Sequence, residues 1–426
     1  MEGKDTYQIL KKKLQKDLLN ILELGGEWSD EEIMDQIDEL IISASKNIYL
    51  SGYRKLMMKQ ELFNSVRRLD LLQELVDDKE ISEIMVNGSG DIFYEKYGHM
   101  YRWEKSFESN EKLEDVIQQI VAGANRQVNE ASPIVDARLS DGSRVNVVLK
   151  PIALNGPILT IRKFPEKPMD MQKLIQEGAL SEEAAEFLKK LVRAKYNIFI
   201  SGGTSTGKTT MLNALMQYVP SEERVITIED SAELQIHNIK NLVKLEARNA
   251  NTEGEHQISI RDLIKSAMRM RPDRIIVGEV RGAECVDMIQ AMSSGHDGSI
   301  STGHSGSAEE MLSRLETMIL MGTEIPLIAI RKQIASAIDI VIQLERLRDK
   351  SRRVTEITEI VGCENGEIQL NPLFIFKEIS ENNMIREECV YMEETRPVSG
   401  RLIPSGNRLI HRKKLESAAV KLGDEK

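Results

Sequence analysis

Aromatic side chains are scarce in this sequence, 4% of residues against 41% for apolar types as a whole. A chain that builds its interior from Leu, Ile, Val and Met suits helix-rich or α/β cores better than an all-β sandwich. Cysteine is scarce too. Cys285, Cys363 and Cys389 lie far apart with no CxxC pair, which argues against a zinc site. With no secretory pattern beside them, they read as reduced thiols in the cytosol. The opening residues MEGKDTYQILKKKLQK have no apolar h-region. No stretch approaches the roughly 18 apolar residues a spanning helix needs, so any membrane association is expected to be peripheral and to run through a partner. A basic excess is also missing. The chain holds 57 Lys and Arg against 68 Asp and Glu, a net charge of -11. Proteins that grip phosphate backbones usually carry the opposite balance, which argues against nucleic acid as the main partner.

What is present is long enough for two or three domains, at 426 residues. Residues 1–65 read as a helical extension. Tyr7, Leu10, Leu14, Leu18 and Leu22 fall on one stripe, and Ser29 with Glu32 forms a capping box ahead of Ile33, Met34, Ile37, Leu40 and Ile41. Residues 66–164 read as a compact α+β domain, with strands at 81–86, 134–138, 144–149 and 158–164 and a tight turn at Asp141-Gly142. Pro165 and Pro168 mark a stiff linker over 165–169. Residues 170–380 read as one α/β domain: strand and helix patterns alternate to about Leu344, which predicts a parallel sheet with helices on both faces, and strand-like runs follow at 355–361 and 368–376. Residues 381–426 read as a polar tail, with the basic stretch RLIHRKK (Arg408 to Lys414) a solvated end.

The segment Gly202-Gly203-Thr204-Ser205-Thr206-Gly207-Lys208-Thr209-Thr210 matches GxxxxGK[ST]. It follows an apolar strand and opens an apolar-periodic helix (Met211, Leu212, Leu215), as the chemistry requires. Glycines let backbone N–H groups wrap phosphates, and the helix N-terminus adds positive potential. Lys208 is expected to reach the β- and γ-phosphates of ATP, and the Thr209 hydroxyl to bind Mg²⁺. Two further apolar strands end in acids. Arg274 to Val277 runs through Gly278, where a generic P-loop enzyme has Asp, into Glu279, the candidate to deprotonate the attacking water. Val225 to Ile228 ends in Glu229 and Asp230, candidates to hold Mg²⁺ or its waters at the same sheet edge. Of the six histidines, two fall in GHDGSISTGH (Gly295 to His304). This reads as a loop beside the nucleotide, with His304 sensing the γ-phosphate.

Taken in order, GGTSTGKTT, ITIEDSAEL, RMRPDRIIVGEVRG and GHDGSISTGH resemble the Walker A, Asp box, Walker B and His box of the type II/type IV secretion ATPase family. EIMVNG (Glu83 to Gly88) and DARLSDGSRVN (Asp136 to Asn146) resemble that family's N-terminal domain. The set looks most like the CpaF-type branch that powers Tad (Flp-type) pili. The resemblance implies a RecA-like P-loop domain behind the α+β domain, and a homohexamer at the cytoplasmic face of the membrane, working with an inner-membrane platform protein. It implies ATP and Mg²⁺ at Lys208 and Thr209, Glu229 near the metal, Glu279 as general base and His304 near the γ-phosphate. Arg138 and Arg144 match the N-terminal-domain arginines that reach the phosphates. The chain departs from the family at Gly303, where a bulky aliphatic residue usually precedes the histidine, and a glycine there is expected to loosen the loop. The alternative function is a RecA-like nucleic-acid translocase or conjugation motor.

Overall fold

The computed structural model describes residues 2–24, 26, 28–46, 48–164, 169–248, 257–378 and 398–422. The chain forms two compact units, 1–166 and 167–426. Cys389, most of the expected linker and the expected boundary at 380 lie outside the described residues.

The first unit opens with α1 (Glu2–Leu24), α2 (Asp30–Ser45) and α3 (Gly52–Arg67). Leu10, Leu14, Leu18, Ile33, Ile37, Ile41, Met58 and Leu62 bury together. The Ser29–Glu32 capping box starts α2, satisfying backbone donors that a bare helix end would leave open. After α4 (Gln73–Asp77) come β1 (Ile81–Asn87), β2 (Asp91–Lys96), β3 (His99–Arg102), α5 (Asn110–Gly123), β4 (Ile134–Arg138), β5 (Arg144–Val148) and β6 (Ile158–Arg162). The strands form one sheet in the order β3-β2-β1-β6-β5-β4, antiparallel throughout. Alternate residues (Ile84, Val86, Val145, Val147, Leu159, Ile161) pack with Leu113, Ile117 and Val121 of α5. The period of two therefore leaves the opposite sheet face to the polar positions.

The second unit contains α6 (Met171–Gln176), α7 (Glu182–Arg193), β7 (Ile198–Gly202), α8 (Lys208–Met216), β8 (Arg224–Glu229), β9 (Asn241–Glu246), α9 (Ile260–Ala267), β10 (Arg274–Val277), α10 (Cys285–Ser293), β11 (Ile300–Gly303), α11 (Ala308–Gly322), α12 (Leu327–Ala337), β12 (Ile340–Arg346), β13 (Arg352–Glu364), β14 (Glu367–Glu378), β15 (Gly400–Pro404) and α13 (Lys413–Ser417). The strand order is β15-β14-β13-β12-β7-β11-β10-β8-β9. From β12 to β9 all neighbours are parallel, the RecA-like arrangement. Beyond β12 the sheet continues antiparallel. The parallel strands are apolar on both faces. Ile198 and Ile200 pack with Leu188, Leu191, Leu212 and Leu215 on one side. Phe199 packs with Met288, Met311, Leu315 and Ile334 on the other.

The expected polar tail needs correction. Residues 398–422 fold back onto the second unit: β15 pairs with β14, and Leu402, Leu409 and Leu415 are buried in the core. The RLIHRKK stretch is part of this and is not a solvated end. Single leucines set among basic residues fit neither the helical nor the strand period, so the local pattern reads as polar while each leucine fills a place in the core.

Candidate nucleotide site

Parallel strands bring their carboxyl ends to one edge, and there the motif residues of the second unit meet. Between β7 and α8 the chain turns through Ser205 (φ 58°) and Gly207 (φ 98°). Gly202 has no room for a side chain: a Cβ would lie 2.6 Å from Leu344 O and from Thr206 Oγ1. The Thr206 hydroxyl donates to Gly203 O at 2.9 Å, closing the loop. Lys208, the first residue of α8, is 7% exposed, and its ammonium donates to Gly202 O (3.0 Å) and Gly203 O (2.8 Å). Its Nζ also lies 3.3 Å from His304 Nδ1.

That contact sets the histidine's tautomer. An ammonium only donates, so Nδ1 accepts and the imidazole proton sits on Nε2. Nε2 in turn lies 2.6 Å from Glu279 Oε1. Burial holds the imidazole below its ordinary value. Lys208, Arg281 and Arg314 push the same way against Glu279, so His304 is neutral near pH 7. The second carboxylate oxygen, Glu279 Oε2, accepts from Arg281 Nη2 at 2.8 Å. Lys208, His304, Glu279 and Arg281 thus form one continuous polar chain across the strand ends.

The two glycine departures have physical reasons. A Cβ on Gly278 would stand 2.9 Å from Glu229 Cγ. The place an Asp would take at 278 is filled by Glu229 from the neighbouring strand, held in register by Gly278 N donating to Ile228 O at 2.8 Å. A Cβ on Gly303 would lie 3.0 Å from Phe199 Cζ and 3.1 Å from both Met311 Cε and Sδ. Here Phe199 and Met311 occupy the volume of the usual aliphatic residue. Gly303 therefore does not loosen a loop, and the expected loop over 295–304 is a turn followed by the buried strand β11. His296 sits before that strand, with Nδ1 3.2 Å from Ala291 O at the end of α10. Only His304 reaches the carboxyl edge.

Glu229 is buried, and its Oε1 accepts from the backbone N–H groups of Glu233 (2.8 Å) and Leu234 (3.0 Å). Its Oε2 is buried without a hydrogen-bond partner. Burial outweighs those two bonds and pushes the carboxyl up to about 7. An orphaned carboxylate oxygen is the oxygen-donor chemistry that Mg²⁺ favours. Among the described residues no group of three or more His, Cys, Asp or Glu gathers to hold a metal unaided, as suits an ion carried in with phosphates. Asp230 is exposed. Because the folded-state value of Glu229 lies above the ordinary 4.5, its contribution to stability is fully present below pH 4.5 and is lost as pH rises through about 7. Glu229→Gln keeps an acceptor for both N–H groups. Its melting temperature in nucleotide-free, metal-free buffer should therefore gain on the wild type between pH 5 and pH 8. A pH-independent difference in thermal melts would contradict the burial argument.

Arg138 and Arg144 lie in the first unit, directly paired across β4 and β5. The register adds a residue not singled out from sequence: Arg162 of β6 pairs with Arg144, so three arginines stand in one row across three strands. Arg281 was likewise passed over, although it stands two positions after Glu279 in the same motif.

Residues 67–401 match the family model described as Type II/IV secretion system protein. The conjugal transfer protein TrbB of Rhizobium radiobacter is 31% identical over 303 residues, 70% of this chain and 90% of that protein. The type IV secretion system protein PtlH of Bordetella pertussis is 32% identical over 316 residues, 68% of this chain and 93% of that one. Among solved structures, the ATPase DotB of Yersinia pseudotuberculosis superposes with a TM-score of 0.52 at 18% identity, covering 68% of this chain and 78% of that chain. At that identity the likeness shows the fold.

Proposed function

Because the chain belongs to the Type II/IV secretion system protein family, we propose that it is a Mg²⁺-dependent ATP-hydrolysing motor, working as a homohexamer at the cytoplasmic face of the membrane on a platform protein that assembles a Tad-type pilus or secretes protein. The observation that carries this reading is the Lys208–His304–Glu279–Arg281 chain. It joins a phosphate-binding lysine to a carboxylate able to act as base.

In this reading the loop 202–210 wraps the phosphates, and Lys208 leaves its two carbonyls and His304 to take up the β- and γ-oxygens. His304 stays beside the γ-phosphate and keeps Glu279 in place through its Nε2–H. Glu279 accepts a proton from water as the water oxygen bonds to the γ-phosphorus. The bond to the β–γ bridging oxygen breaks and ADP leaves. The Thr209 hydroxyl and the Glu229 carboxylate would hold magnesium brought in with the nucleotide, and the ion would neutralise charge on the phosphate oxygens. Arg138 and Arg144 carry the positive charge that would offset the developing negative charge on the phosphates. An arginine arriving at a developing charge is worth about 10³ to 10⁵ in rate where measured.

A second reading, a conjugation motor or nucleic-acid translocase, is favoured by a relative named for conjugal transfer and opposed by the net charge of -11. Steady-state hydrolysis with and without single- and double-stranded DNA separates the two. The expected result is Mg²⁺-dependent turnover by a particle six chains in mass, unchanged by DNA. Several-fold stimulation by DNA would favour the translocase, and no nucleotide binding at all would end both.

A further inference from the structure

Gln343 is a buried amide that no step of the hydrolysis uses. It stands in β12, 2% exposed. It pairs directly with Ser201 of β7, and Ser201 pairs with Gly303 of β11. These three positions form the last layer of the parallel sheet before its carboxyl edge. One layer below, on the same face, stand Val341, Phe199 and Ser301, and the first two belong to the apolar core. By packing alone the Gln343 position calls for an aliphatic side chain like Val341. A buried amide with unmet hydrogen bonds lowers stability, and two are unmet here. Gln343 Nε2 donates to Ser305 O at 3.4 Å, with a weaker contact to Leu344 O at 3.5 Å. Its Oε1 has no partner, and neither does the hydroxyl of Ser201. The amide cannot be turned round, because Oε1 would then face the Ser305 oxygen, acceptor against acceptor.

The carbonyl that Gln343 holds belongs to the residue after His304. That turn is tied from two other sides. Ser305 N donates to Gly202 O at 3.4 Å, and Gly306 N donates to Glu310 Oε2 of α11 at 3.1 Å. Gly202 O is also one of the two carbonyls that hold the Lys208 ammonium. Once Lys208 turns to the phosphates, the Ser305 N–H is left as the donor to that carbonyl. Ser305 then joins the phosphate loop to the histidine, and Gln343 grips it from the carbonyl end. We infer that Gln343 is a positioning residue for hydrolysis: by fixing Ser305 it keeps the His304 imidazole between Lys208 and Glu279, and so keeps Glu279 aimed at the water. The inference rests on the reading of this site as hydrolytic with Glu279 as its base. It places the effect of Gln343 on the chemical step, because phosphate binding belongs to the loop backbone and Lys208.

The test compares the full chain with Gln343→Met, which is close in volume and has no donor, and repeats the change in a His304→Ala background. Steady-state ATP hydrolysis, nucleotide titration and thermal melting are measured on each. In Gln343→Met, kcat should fall about tenfold to a hundredfold, the size of effect that a misplacement on the order of 1 Å produces. The ATP dissociation constant should stay within about twofold. The melting temperature should hold or rise, because a buried amide with an orphaned oxygen has gone. In the His304→Ala background the same change should cost less than about twofold, since the amide acts through that side chain. Amide hydrogen exchange in nucleotide-free protein should quicken at residues 304–306 of Gln343→Met, which reads the link without turnover. A Gln343→Met variant that matches an active wild type overturns the inference. So does an equal loss in both backgrounds, or a fall in kcat, ATP affinity and melting temperature together, the pattern of a packing role. A wild type that does not hydrolyse ATP sinks the hydrolytic reading of the site, and unchanged exchange at 304–306 sinks the Gln343 link whatever the wild type does.

Discussion

Glu279→Gln should lower steady-state ATP hydrolysis by about a hundredfold or more while nucleotide binding persists, since a positioned general base contributes about 10² to 10⁴ in rate. The substitution is well suited to the site. Glutamine has the same shape, and its amide oxygen can still accept from Arg281 Nη2, which donates to the carboxylate now. What it cannot do is take a proton from water. A loss in kcat with the ATP dissociation constant nearly unchanged therefore isolates proton transfer from binding. Lys208→Ala should behave the other way and lose nucleotide binding itself, because the ammonium is the group that meets the phosphates. Fluorescent-nucleotide titration beside the hydrolysis assay reads both. If Glu279→Gln turns over at nearly the wild-type rate, the water is activated elsewhere, and the polar chain across the strand ends serves packing alone.

The phosphate loop was legible in the sequence because its chemistry acts through backbone conformation over consecutive residues, so spacing alone carries it. Glu279 and His304 were legible for a related reason: each ends an apolar strand, and parallel strands deliver their ends to one edge. Other features depend on which residues lie side by side across strands, and no local pattern encodes that. Gly278 looked like a missing acid until β8 placed Glu229 Cγ where its side chain would go. Gly303 looked like a loose loop until Phe199 and Met311 were found filling its space. Arg162 joins Arg144 only through the register of β5 on β6. The parallel sheet and both its helical layers followed from alternation, and the strand-like runs at 355–361 and 368–376 became β13 and β14, but β15 did not follow, because the returning segment is short and mostly polar.

That returning segment bears the other large expected effect. Glu359→Ala should destabilise the second unit by about 3 kcal/mol or more, equivalent to a fall in melting temperature of about 10 °C for a unit of this size. Glu359 lies in β13 and is 1% exposed. Its carboxylate accepts from Ile410 N (2.9 Å), His411 N (2.7 Å) and Asn371 Nδ2 (2.9 Å). Asn371 Nδ2 also donates to Arg408 O at 2.9 Å, so the acid and the amide together fix the turn that leads into α13. Alanine leaves the Ile410 and His411 N–H groups without their acceptor and Asn371 with Arg408 O alone, which costs more than the bonds were worth to begin with. The consequence reaches the catalytic sheet. Next along the segment, Lys414 Nζ bonds Asp339 Oδ2 and Asp297 Oδ1, both at 2.7 Å. Asp339 accepts from Asn197 N at 2.7 Å, and Asn197 Oδ1 accepts from Gly298 N at 2.8 Å and Ser299 N at 3.1 Å. Asn197 immediately precedes β7, which feeds the phosphate loop, and Ser299 immediately precedes β11, which feeds His304. Loss of the Glu359 anchor should therefore speed amide hydrogen exchange at the starts of both strands as well as in residues 400–417. Faster exchange confined to the returning segment would mean that the segment covers the sheet without bracing it.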